Sequence, residues 1–72
     1  MTRLEMLKWC FENIAYPNNN FTYNDIKNAI GEEYIFELKR MEFLLSWFDW
    51  ESHRSCVQLT ALGKLYCEEI FS

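Results

Sequence analysis

Two side chains capable of nucleophilic or proton-transfer chemistry lie close together in this sequence: His53 and Cys56. A thiol activated by an imidazole also needs a third group to orient the base, and backbone donors for the oxyanion. The stretch Glu51-Ser52-His53-Arg54-Ser55 reads as a tight polar turn, which offers neither. The paired carboxylates Glu32-Glu33 and Glu68-Glu69 are adjacent in sequence. Neighbouring positions point to different sides of a helix, so neither pair makes an acid/base couple. Two glycines in the whole chain leave no phosphate-cradling loop. Cys10, Cys56 and Cys67 are odd in number and none is spaced as Cys-x-x-Cys, which predicts neither a disulfide framework nor a zinc site. The expectation is a non-enzyme with no metal, no cofactor and no small-molecule substrate.

What remains is the chemistry of surfaces. The net charge is −4 and the pI about 4.8, whereas dedicated nucleic-acid binders are usually basic, at least locally. Half of the 72 residues are hydrophobic, and three Trp, four Tyr and six Phe are a heavy load for one small core. A buried ring removes roughly 150–250 Å² from water. So many rings exceed what one domain of this size can bury, and exposed apolar patches mark interfaces. A homodimer or a protein partner is therefore expected.

The elements that must position these groups follow from spacing. Residues 1–72 are expected to form a single domain. Thr2 and Glu5 have capping-box spacing, and Leu4, Leu7, Phe11 and Ile14 form an apolar stripe, so a first helix begins here. Pro17 ends it, and Pro17 through Asn20 form a loop. Thr22 caps a short second helix with Asp25 in its first turn, Phe21 stapled onto Ile26, and Ile26, Ala29 and Ile30 inward. Gly31 stops it. Glu32 and Glu33 open a third helix with Leu38, Met41 and Leu45 at core spacing, which leaves Phe36 and Phe43 as candidate exposed rings.

After Leu45 the period changes. Ser46-Trp47-Phe48-Asp49-Trp50 reads as a strand and Cys56-Val57-Gln58-Leu59 as its return, with Val57 and Leu59 on one face. Thr60 caps a last helix in which Leu62, Leu65, Tyr66 and Ile70 are apolar. Gly63 weakens that helix and implies a close approach to another backbone element. The fold class predicted is mainly α with a small β-hairpin. Met1-Thr2-Arg3-Leu4 runs directly into the amphipathic pattern, which predicts no secretory leader, and no apolar run approaches the ~20 residues of a membrane span. Free thiols fit a reducing cytoplasm.

Two stretches carry a family resemblance. Glu37-Leu38-Lys39-Arg40-Met41-Glu42-Phe43-Leu44-Leu45 looks like the third helix of the winged helix-turn-helix domains found in small bacterial, archaeal and phage regulators. Leu59-Thr60-Ala61-Leu62-Gly63-Lys64-Leu65-Tyr66 is similar to the run that leaves the wing and starts the closing helix in regulators of the MarR and PadR type. One departure stands out: Leu44-Leu45-Ser46 occupies the place where such domains usually carry a glycine that turns the chain into the wing.

The resemblance implies a winged helix of three helices, a two-stranded wing and a closing helix. It also implies binding of double-stranded DNA by the third helix and the wing tip. The candidate contacts are Lys39 and Arg40 on the third helix, His53 and Arg54 at the tip, and Lys27 on the second helix, with Asn24 and Asn28 as further phosphate contacts. Against this, Glu32, Glu33, Glu37 and Glu42 accompany only Lys39 and Arg40, and a carboxylate facing a phosphate is repelled. Glu37 could instead pair with Arg40 at helical spacing. The alternative use is an acidic protein-interaction module, such as a phage-encoded inhibitor of a host protein. Its contacts would be Phe36, Phe43, Trp47, Phe48 and Trp50.

Overall fold

A threonine starts each of the first two helices. Thr2 Oγ1 accepts from the Glu5 N–H at 3.1 Å, and the Glu5 carboxylate accepts from the Thr2 N–H at 3.1 Å. Thr22 and Asp25 repeat the arrangement at 3.3 and 3.0 Å. Each box satisfies two backbone donors that a helix start leaves unpaired. The computed structural model describes residues 2–16 and 20–71. Its elements run α1 (Arg3–Asn13), α2 (Tyr23–Ile30), α3 (Glu32–Arg40), β1 (Leu44–Asp49), β2 (Arg54–Leu59) and α4 (Ala61–Phe71). Of the expected loop at Pro17–Asn20, residues 17–19 lie outside the described residues.

The inner face of α1 differs from the stripe read in the sequence. Leu7, Cys10 and Ile14 are buried, Phe11 is half-buried against the core, and Leu4 is 59% exposed. The spacing i, i+3, i+7 makes a narrow ridge centred on Cys10, and Leu4 falls on its flank. Ile14 ends the helix, and its carbonyl accepts from the Leu59 N–H at 2.9 Å, which ties α1 to β2.

Thr22 forms an isolated antiparallel bridge with Cys56 just before α2 begins. Phe21 packs its ring edge-on to Trp9 at 5.2 Å. Ile26 and Ile30 are buried, as the second-helix pattern requires. Gly31, at φ +87°, serves as the C-cap of α2 and the N-cap of α3, so the two helices share one joint. Side chains rarely adopt that conformation, which explains the glycine.

The third helix is shorter than its apolar spacing suggested. It ends at Arg40; Met41 is its C-cap and 44% exposed, and Leu45 lies on β1 with its side chain exposed. The cause is a helix-ending turn at Glu42. The Phe43 N–H donates to the Leu38 carbonyl at 2.9 Å, and the Glu42 N–H donates to the Lys39 carbonyl at 3.0 Å. This is the paired bonding of a Schellman motif, with its left-handed position at Glu42, φ +63°. The turn into the hairpin is therefore made by a glutamate. The helix-to-strand boundary lies earlier than the sequence pattern placed it.

β1 and β2 pair antiparallel, Leu44 opposite Leu59 through Asp49 opposite Arg54. Trp50 falls in the turn rather than the strand, and Arg54 and Ser55 fall in the strand rather than the turn. Val57 and Leu59 are both fully buried, as their alternation predicted. Thr60 then joins two elements. Its hydroxyl donates to the Glu42 carbonyl at 2.6 Å and accepts from the Gly63 N–H at 3.1 Å. The core is filled by Ile14, Ile26, Ile35, Leu38, Val57 and Leu59, with Cys10 and Cys67 between the terminal helices.

Candidate protein and nucleic-acid interface

α3 buries Tyr34, Ile35 and Leu38. Helical geometry therefore turns Glu32, Glu33, Phe36 and Arg40 outward. All four are exposed, and Phe36, 50% accessible, stands at the centre of that face. The first turn carries two carboxylates and the last turn carries Lys39 and Arg40, which suits the helix dipole at both ends.

The cations expected to contact phosphate are largely engaged within the domain. Lys27 Nζ pairs with Glu32 at 3.1 Å. Lys39 Nζ stands 5.6 Å over the ring of Tyr23. Arg54 is half-buried and donates to the Phe21 carbonyl at 3.4 Å; hydrogen bonds lower the pKa of Asp25 and Asp49, and the Arg54 charge adds only the smallest contribution to each. In each aspartate a capping or turn hydrogen bond is the larger cause: Thr22 for Asp25, Ser52 for Asp49. Arg40 and His53 are exposed, and among the described residues neither has an ion-pair partner. Glu37 pairs with Arg3 on α1 at 3.1 Å, and not with Arg40 as helical spacing suggested. Asn24 and Asn28 are exposed on α2.

The start of α3 also lines a cleft of 490 Å³ with the start of α1. Glu32, Glu33 and Glu37 contribute to its wall beside Arg3 and Tyr34. The local balance there is acidic.

The hairpin supplies the second aromatic group. Phe48 is exposed and Trp50, at the turn, is 76% exposed; their rings meet edge-on at 4.6 Å. Trp47 is half-buried. Phe43 corrects the expectation of an exposed ring. It is 9% accessible and packs 5.0 Å from Tyr66, because the turn at Glu42 swings it under α4. Of the five candidate aromatics, Phe36, Phe48 and Trp50 stand on the surface.

His53 sits at the tip with φ +54°, and the Cys56 thiol donates to the Arg54 carbonyl at 3.8 Å. Cys56 faces Trp47 across the ladder. The buried thiols are held protonated: burial pushes Cys10 up to about 12 and raises Cys67 too. Among the described residues no three His, Cys, Asp or Glu side chains are grouped to hold a metal ion. Also among the described residues, no helix is long and apolar enough to cross a membrane.

Comparison with protein-family models, with characterised proteins and with solved structures finds no match for this chain.

The sequence reading missed the apolar outer face of α4. Leu62, Leu65, Tyr66 and Ile70 are all exposed, while Gly63 and Cys67 take the inner face. The signal was present in Gly63. A residue chosen for close approach marks the inward side of its helix, which puts Leu62 and Tyr66 on the flank.

Proposed function

We propose that this chain is a winged-helix protein-interaction module that acts by binding, without catalysis, in the cytoplasm. The observation that carries the reading is Phe36 at the centre of the outer face of α3, behind Glu32 and Glu33. A helix that reads the major groove needs donors and cations along its outer face, and here the first turn and the centre of that face carry two carboxylates and a ring, with Arg40 only at the far end. The order of elements, with a hairpin after the third helix and a helix closing the chain, supports the winged-helix assignment. The exposed Phe48–Trp50 pair supports a protein partner, since aromatic residues are enriched among interface anchors. Such a partner offers an apolar pocket for Phe36, rimmed by basic side chains that complement Glu32 and Glu33.

A second reading, a DNA-binding transcriptional regulator, is favoured by Arg40 and His53. Both are exposed, one at the end of α3 and the other at the hairpin tip. Fluorescence anisotropy of a labelled mixed-sequence duplex, at low and at physiological salt, separates the two. The protein reading expects no salt-sensitive binding. Binding that weakens steeply with salt and disappears when Lys39 and Arg40 are both reversed to Glu overturns it in favour of DNA. Under the protein reading, partner capture is lost with Phe36→Ala or Trp50→Ala and survives that double reversal.

A further inference from the structure

A second apolar surface lies along α4, away from the outer face of α3 and from the hairpin. Leu4, Met41, Leu62, Leu65, Tyr66 and Ile70 are between 42% and 60% exposed. Leu4, Met41, Tyr66 and Ile70 line one groove of 230 Å³ where α1, the end of α3 and α4 meet. Leu62 and Leu65 extend it along α4 by one turn. Together these side chains expose on the order of 500 Å² of apolar area, at the upper end of what a monomer leaves to solvent.

We infer that this face is the contact between two copies of the chain, related by a two-fold axis passing near Tyr66. Three observations select a second copy. First, the pattern Leu62, Tyr66, Ile70 places an aliphatic residue one turn to either side of a central ring. An antiparallel pairing of α4 with itself sets Leu62 of each copy near Ile70 of the other, so the stripe reads the same in both directions. An isologous interface demands that property.

Second, the face is close to neutral within a chain of net charge −4. Arg3 and Glu37, at the rim of the groove, neutralise each other at 3.1 Å. Glu69 shares the outward side of α4 with Leu65 and Tyr66, and Lys8 lies one turn beyond Leu4 on α1. Two acidic molecules approach each other most easily through their least charged face, and one that carries each sign can complement a copy of itself. Third, an apolar area on the order of 500 Å² matches the apolar share, roughly 60%, of the ~800 Å² per partner of a stable interface. The wing and the outer face of α3, with Phe36, stay free on both copies, so the dimer would present two copies of the proposed contact surface. The inference stands apart from the choice between protein and DNA.

Sedimentation velocity on the intact chain over a concentration series tests it. The expected result is a mass that rises from 8.8 kDa towards twice that value. Leu62→Lys and Ile70→Lys, both at exposed positions, should each raise the dissociation constant roughly tenfold or more while far-UV circular dichroism stays unchanged. Trp50→Ala should leave it unaltered. Tyr66→Cys, near the axis, should give a covalent dimer on mild oxidation. A chain that stays monomeric throughout the series overturns the inference. So does a dimer that survives both lysine variants, or one that Trp50→Ala abolishes. Because neither DNA nor a heterologous partner enters the measurement, its failure leaves the proposed function untouched.

Discussion

Gly63 lies against the backbone of Phe43. A Cβ built on Gly63 would stand 2.6 Å from the Phe43 carbonyl oxygen and 3.2 Å from its Cα. That oxygen is already committed to the Thr60 N–H at 2.9 Å. The contact sets how closely α4 can settle on the chain leaving α3.

Gly63→Ala should therefore destabilise the domain although alanine favours helix by about 1 kcal/mol. The obstacle is backbone on both sides, and relieving it means moving α4. We expect a net loss of about 2 kcal/mol. That corresponds to a fall of roughly 10 °C in Tm for a domain of this size, read by thermal denaturation.

Glu42→Gly should act in the opposite direction. Glu42 holds the left-handed position of the turn after α3 at φ +63°, a conformation that costs a side chain about 1 kcal/mol. Its hydrogen bonds to Lys39 and from Thr60 use backbone atoms and survive the change. A gain of up to about 1 kcal/mol in urea unfolding is expected, with no gain from Glu42→Ala.

Acid should weaken the domain through its caps. Backbone and side-chain hydrogen bonds from Thr2 lower the Glu5 pKa below 4.5, and those from Thr22 lower Asp25 below 3.8. A lowered folded-state value contributes stability that is present above the ordinary value and is lost as pH falls through the folded one. Stability should fall below about pH 4.5. The double variant Glu5→Gln, Asp25→Asn should show a shallower acid limb in denaturant titrations across that range.

Alkali should unfold it through Cys10 and Tyr34. Burial raises both to about 12, from 9.0 and 10.0. The Tyr34 hydroxyl also donates to the Arg3 carbonyl at 3.1 Å, a bond only the neutral form makes. A raised folded-state value contributes stability that is fully present below the ordinary value and is lost as pH rises towards the folded one. Stability should decline from about pH 9, and Cys10→Ala should delay the onset to about pH 10. Thiol labelling at neutral pH gives an independent check. Half-buried Cys56 should react first, and buried Cys10 and Cys67 only as the protein unfolds.

What the sequence revealed and what it concealed divide along physical lines. Capping at Thr2 and Thr22, the stop at Gly31 and the alternation of Val57 and Leu59 are local. Each depends on a few neighbouring residues, and the structure places all of them as read. The end of α3 was hidden because Met41 and Leu45 keep helical spacing while the break is made by Glu42, a residue type with no preference for a left-handed turn. Leu4 and Phe43 were misassigned for a related reason. Spacing shows that a helix has an apolar side, but not where a neighbouring element ends and leaves that side bare. Ion pairing was equally non-local: Glu37 has Arg40 within reach on its own helix and pairs with Arg3, 34 residues away.

Within the described residues β1 pairs only with β2, whereas β2 gains the Thr22 bridge on Cys56. The other side of Leu44–Asp49 is thus an open row of backbone donors and acceptors, on a strand whose one charge is Asp49. Such a margin is a template for strand addition, and natural proteins usually guard it with charge or proline. Asp49 is the sole guard of that kind on this strand. Its removal would expose a short, aromatic, uncharged segment of the sort that seeds fibrils when chains are crowded.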